Sequence, residues 1–218
     1  MADTTSRTGQ SYANDRVLDW LQRTHVAHDA GLQKAFDAPA AAGMPQIMVG
    51  PSEGKTLQLL ARAIGSKKIV EIGTLAGYST IHLARGLLPG GHVWTIEFDP
   101  KHAKVARENL AAAGVADRVT VLEGKGVDVL PTIEAHGPFD LVFVDADKQS
   151  YDQYGRWAAK NVRAGGLLLG DNAFFFGKLL DEADPSAAAM RRFHEEARAR
   201  YDTVCIPTPD GLLLGVRK

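Results

Sequence analysis

The chain has 218 residues, 45% of them hydrophobic, with a formal net charge of −1. That length and apolar content suffice for one large domain with a full core, and the near-neutral balance argues against a general electrostatic grip on nucleic acid or an anionic membrane. Cys205 is the only cysteine, and no apolar run approaches a signal peptide or a membrane span, so an internal disulfide and thiolate-rich zinc are excluded and a reducing, cytoplasmic setting is expected.

Residues 1–9 are polar and small and read as a mobile arm. Tyr12, Val17, Leu18 and Leu21 then recur at helical spacing, and a second helix is expected around Ala30 to Phe36. His25 and His28 stand three apart, a spacing that can share a helical face, but no third ligand accompanies them and they read as surface histidines. Pro39 to Pro51 holds three prolines, two glycines and the apolar group Met44, Ile47, Met48 and Val49, a loop with something to cover, so a lid. Ser52 resembles the N-cap of an amphipathic helix that carries Leu57, Leu60 and Ile64 and stops at Gly65. Residues 1–50 are thus read as N-terminal helices and a lid-like loop, and 51–218 as the core of the same single domain.

Lys68 to Ile72 is the first strong strand, and it runs through a turn containing Gly73 and Gly77 into a helix from Thr80 to Leu87. Strand, glycine turn and helix form a nucleotide-type cradle, because glycine lets the backbone approach a ligand and the first turn of a helix exposes N–H groups. The Gly-x-x-x-Gly spacing is neither the dinucleotide fingerprint nor a phosphate loop, which disfavours NAD and ATP. His92 to Ile96 is a second strand ending at Glu97, where a carboxylate can accept from both hydroxyls of a ribose, with Phe98 beside it for a base; helix-dipole stabilisation is the plainer account of Asp99. A third strand, Arg118 to Glu123, leads past Gly124 and Gly126 to a short helix ending near Leu130.

Phe139 to Val144 is an apolar run of the kind buried on both faces of a parallel sheet, and it ends in Asp145, Asp147 and Lys148. After a helix from Tyr151 to Val162, a fifth strand, Leu167 to Gly170, again ends in polar residues, Asp171 and Asn172. In open α/β sheets ligands bind beyond the carboxyl ends of the strands, so two neighbouring strands deliver oxygen ligands to one edge. Phe174, Phe175 and Phe176 follow; three consecutive aromatics cannot all face one way, and a pocket wall, a subunit contact and plain core all remain open for them. A helix from Pro185 through Tyr201 and a hairpin of Val204 to Pro207 and Leu212 to Val216 complete an α/β fold of seven strands. It is mostly parallel with an antiparallel C-terminal edge, helices on both faces and extra N-terminal helices.

Val70 to Thr80, Phe139 to Lys148 and Gly170 to Asn172 together resemble the cation-dependent O-methyltransferases, the group that contains the caffeoyl-CoA and catechol O-methyltransferases. The similarity covers about Val49 to the C-terminus, and three ordered motifs are far more specific than the glycine turn alone. The resemblance implies a Rossmann-like, S-adenosylmethionine-dependent methyltransferase that is a homodimer and acts on a small aromatic diol. It implies Asp145, Asp171 and Asn172 as metal ligands, a set suited to a hard cation, Mg²⁺ foremost, with Ca²⁺ or Mn²⁺ open. Such a cation, holding two adjacent phenolic oxygens, would orient the acceptor and lower the pKa of the hydroxyl to be methylated. Lys148 matches the general base, and a nearby cation would favour its neutral form.

For the cofactor, the resemblance implies that the methionine end lies near Val49, Gly73, Thr74 and Ser79 with Glu71 close by. The ribose falls on Glu97 and the adenine beside Gly126, where the family often has alanine, and Asp145 would also reach the cofactor's amino group. Asp147 matches a substrate-facing position, with a salt bridge to a nearby lysine or arginine as its alternative. Plant-like members often carry tryptophan after the Asp-Asn pair, where this chain has Ala173 and the three phenylalanines. The acceptor therefore stays open among phenylpropanoids, flavonoids and natural-product intermediates. The rival readings are a metal-independent methyltransferase acting on nitrogen or RNA, and a non-catalytic cofactor-binding protein.

Overall fold

In the computed structural model, which describes residues 12–218, β4 (Phe139–Val144) lies at the centre of a seven-stranded sheet of order β3-β2-β1-β4-β5-β7-β6. The expected arm over residues 1–9 lies outside the described residues. β1 (Lys68–Ile72), β2 (His92–Glu97), β3 (Val119–Glu123), β4 and β5 (Val162–Asp171) are mutually parallel, and β7 (Leu212–Arg217) runs antiparallel to both β5 and β6 (Tyr201–Ile206). The mostly parallel sheet with an antiparallel C-terminal hairpin is therefore as expected. Among the described residues no helix is long and apolar enough to cross a membrane.

Side chains alternate across the sheet and feed two cores. Ile69, Val93, Leu141, Phe143 and Leu169 pack against α2 (Ala30–Ala41), α3 (Pro51–Ala63), α4 (Tyr78–Gly86) and α5 (Pro100–Ala112). Val70, Ile72, Val142, Val144 and Leu168 pack on the other face against Tyr154 and Trp157 of α7 (Tyr151–Asn161) and Met190 and Phe193 of α8 (Pro185–Arg200). With helices on both faces, β4 is almost wholly buried, which explains its unbroken apolar run. After β3 the chain crosses β1 to enter β4, so the order reverses between β1 and β4, and a crevice opens at their carboxyl ends.

Several boundaries differ from expectation for local physical reasons. α2 continues through Pro39 to Ala41, because a proline in the last turns removes few helical bonds, so the irregular segment begins only after it. α3 begins at Pro51 with Gly50 as its cap, not Ser52: proline suits the first helical position, and the Glu53 carboxylate accepts from the Gly50 N–H at 2.8 Å. β5 starts earlier, at Val162, with a register shift opposite Asp140, whose carboxylate accepts from Lys67 N, Lys68 N and Arg163. β6 likewise begins at Tyr201, where α8 ends. His25 and His28 share no helix: His25 ends α1 (Asp15–His25), and His28 follows it with Nε2 2.8 Å from the Tyr78 hydroxyl, so His28 braces α4 and is not a free surface histidine.

Candidate active site

The first wall of the crevice is the turn after β1. Gly73 has φ +100°, and a Cβ there would lie 1.9 Å from the Asp145 carbonyl oxygen, so only glycine lets the β1 and β4 ends approach. Gly77 is also left-handed and starts α4 at Tyr78, two residues before the expected Thr80. The turn is tied to β2 by Glu97: one carboxylate oxygen accepts from Thr74 N (3.2 Å) and Leu75 N (2.8 Å), the other from Asp99 N (3.0 Å). The first oxygen is filled, while the second keeps acceptor capacity beside His102. The carboxylate expected to take two ribose hydroxyls thus also builds the turn.

Beneath the turn lies a buried polar layer. Glu71 is fully buried and accepts from Thr80 and, at 2.6 Å, from Thr95, whose hydroxyl lies 2.6 Å from that of Thr74. Burial pushes the Glu71 carboxyl up to about 7, and its other oxygen has no hydrogen-bond partner. Asn109 of α5 donates to Ala76 O at 2.9 Å and clamps the turn from behind.

The second wall comes from the β4 and β5 ends. Lys148 Nζ donates to Tyr151 Oη at 2.6 Å and to Asp145 Oδ1 at 3.2 Å. The Tyr151 hydroxyl lies 3.0 Å from Asp171 O and 3.2 Å from Val144 O, which makes it a bridge between the two strand ends. Burial, and then the charge of Asp145, push the Asp171 carboxyl up to about 7. Burial and the same carboxylates hold the Tyr151 phenol well above its ordinary value. Asn172 is left-handed at φ 57°, a conformation asparagine tolerates better than most residues.

These walls enclose a cavity of about 900 Å³ lined by Val49, Gly73, Thr74, Ser79, Glu97, Gly126, Asp145, Asp147, Lys148 and Asn172. Of the residues singled out in the sequence, Glu71 and Asp171 alone are not on its surface; both are buried next to residues that are. Ile47, Met48 and Val49 form part of the wall, so the proline-rich segment does cover something. The three phenylalanines separate: Phe175 is buried, Phe174 lies where a Cβ on Gly211 would be 2.5 Å from its ring, and Phe176 lines the cavity while 65% exposed.

The family model described as O-methyltransferase matches residues 23–218. The chain belongs to the O-methyltransferase family. It is 49% identical over 173 residues to a catechol O-methyltransferase of Mycobacterium tuberculosis, covering 79% of this chain and 78% of the relative. It is 47% identical over 170 residues to a catechol O-methyltransferase of Niastella koreensis, covering 76% and 77%. Among solved structures, the O-methyltransferase from Bacillus cereus in complex with SAH aligns with a TM-score of 0.89 at 40% identity, over 93% of this chain and 97% of that one.

In this O-methyltransferase, Asp147 forms no salt bridge to lysine or arginine; its Oδ1 instead accepts from the Tyr154 hydroxyl at 2.6 Å. A Cβ on Gly126 would lie 2.8 Å from the same hydroxyl and from Ile72, so Tyr154 accounts for glycine where alanine is common. Sequence reasoning missed both tyrosines. The available signal was their position, three and six residues after Lys148 at the start of a helix that leaves the acidic edge. Among the described residues no three His, Cys, Asp or Glu side chains cluster, so the oxygen set of Asp145, Asp171 and Asn172 includes only two carboxylates.

Proposed function

We propose that this O-methyltransferase transfers the methyl group of S-adenosylmethionine to one hydroxyl of a catechol-type small molecule with the help of a divalent cation, Mg²⁺ foremost. The observation that carries the reading is the convergence of Asp145, Lys148 and Asn172 on one cavity, with Asp171 buried directly behind. Two carboxylates raise each other's cost of ionisation there, as the Asp171 shift to about 7 records, and two acids with an amide oxygen fit a hard cation that relieves that cost. When bound, the cation would hold both oxygens of the diol and lower the pKa of the one to be methylated.

The residues of the chain do the rest. Gly73, Thr74, Ser79 and Glu97 form the donor side of the cavity, and the unpartnered oxygen of Glu71 beneath the turn fits the positive end of an amino-acid group. Val49 and Gly126 close that side, and Asp147, oriented by Tyr154, faces the acceptor. Lys148 Nζ takes the hydroxyl proton, and the ordered walls align nucleophile and methyl, the largest protein contribution to such a transfer. The names of the relatives support a catechol acceptor. A homodimer is part of the proposal, supported by the exposed apolar side chains Val17, Leu18, Trp20 and Leu21 of α1.

The test is a catechol-library methylation assay with and without Mg²⁺, with product regiochemistry read by mass spectrometry and NMR. Monomethyl ethers formed only with the cation, and a folded Asp171→Ala variant that loses the dependence and at least about 100-fold in turnover, are expected. Turnover that survives complete chelation would instead favour a metal-independent transferase. Donor binding without turnover on any acceptor would favour a non-catalytic role.

A further inference from the structure

Tyr151 is absorbed by none of the roles above, yet its side chain is fully buried at the point where the site must be most exact. Its hydroxyl carries one proton and meets three polar atoms: Lys148 Nζ at 2.6 Å, Asp171 O at 3.0 Å and Val144 O at 3.2 Å. The two carbonyls accept only, so the phenolic proton is committed to the backbone, and the phenol oxygen faces Lys148 as an acceptor.

The consequence falls on the amine. A neutral Lys148 has two N–H donors and one lone pair. Tyr151 Oη and Asp145 Oδ1, at 2.6 and 3.2 Å, take both donors. The lone pair is left in the remaining tetrahedral direction, and Lys148 stands in the cavity wall. Tyr151 cannot turn its own proton onto that lone pair, because the strand ends hold it.

We propose that Tyr151 is a positioning residue: it fixes the rotamer of Lys148 and aims the Nζ lone pair at the acceptor hydroxyl, so that the hydroxyl O–H bond breaks as an N–H bond forms on Nζ. The proposal rests on the reading of Lys148 as the base. It also accounts for why the lysine and the tyrosine stand three residues apart across the start of α7, where one can reach the other while the tyrosine ring stays in the core beside Phe193.

A positioning role and a merely structural one separate on acceptor acidity. Tyr151→Phe is expected to lower kcat for unsubstituted catechol about 10- to 100-fold, with the KM of donor and acceptor within about threefold of wild type. For 4-nitrocatechol, whose phenol ionises without assistance, the same variant is expected to fall by less than about threefold, because no proton needs to reach Nζ. A site disturbed only in its packing loses both acceptors equally, and that result, or an unchanged kcat for catechol, overturns the proposal. Should Tyr151→Phe fail to fold, 3-fluorotyrosine placed at position 151 keeps the shape and weakens the phenol oxygen as an acceptor. A smaller kcat loss confined to catechol is then expected, and no difference between the acceptors overturns the proposal. Lys148→Met distinguishes the underlying reading: full catechol turnover in that variant removes Lys148 as base, whereas its loss beside an unaffected Tyr151→Phe removes only the positioning role.

Discussion

The cavity has a floor and a rim built on different principles. On the floor, Glu71, Thr74, Thr80 and Thr95 are buried and joined to one another, and Glu97 is spent on three backbone N–H groups. At the rim, Ile47, Phe98 and Phe176 are 71%, 66% and 65% exposed. A buried polar layer is costly to disturb because each broken bond leaves an unpaired group in a low-dielectric interior, while an exposed apolar side chain can be exchanged with little effect on the fold. One scaffold can therefore hold its methyl donor constant while its acceptor changes.

The sharpest way to break that contrast is Gly73→Ala. The added Cβ would meet backbone, 1.9 Å from Asp145 O and 2.7 Å from its carbonyl carbon, at a φ of +100°. Neither strand end can yield without moving Asp145. Loss of about 3–5 kcal/mol in urea unfolding and more than about 100-fold in donor affinity by calorimetry are expected. Donor affinity within twofold of wild type would mean the floor is more adaptable than its geometry.

That floor was the part most legible in the sequence. Gly73, Glu97, Asp145 and Asn172 could be named because strand ends and glycine turns follow from patterns of a few residues. The roles of Tyr151 and Tyr154 were not legible, since each depends on which atoms α7 brings within 3 Å of the β4 and β5 ends. Nor were Phe175 and Phe176, both left-handed at φ 50° and 53°, because their conformation is imposed from 34 residues away: the Asp210 carboxylate accepts from Phe176 N at 2.8 Å. Local preference alone would have put neither phenylalanine there.

A smaller effect tests whether the floor is electrically quiet. Burial raises Glu71 from 4.5 to about 7. Between those values the unfolded chain has released a proton that the folded protein retains, so this contribution to stability is complete below 4.5, declines as pH rises and is gone above about 7. Glu71→Gln lacks the titration. Without donor or cation, its unfolding free energy relative to wild type is expected to rise by of order 2–3 kcal/mol from pH 4.5 to pH 7.5 in urea titrations. Parallel curves for the two proteins would place the proton elsewhere.

The smallest expected change is at the rim. Phe176 holds a left-handed backbone that a side-chain-bearing residue adopts at some cost, while most of its ring is in solvent at the cavity mouth. Strain kept at a binding edge is explained if the ring contacts the acceptor. Phe176→Gly removes both, so stability is expected to rise by up to about 1 kcal/mol while acceptor KM rises about 3- to 10-fold. Donor affinity, set on the floor, is expected to stay within twofold. A protein made more stable and less selective by the same substitution would show that the rim, unlike the floor, is shaped by what it binds and not by what the fold requires. Equal weakening of donor and acceptor would join the two regions into one.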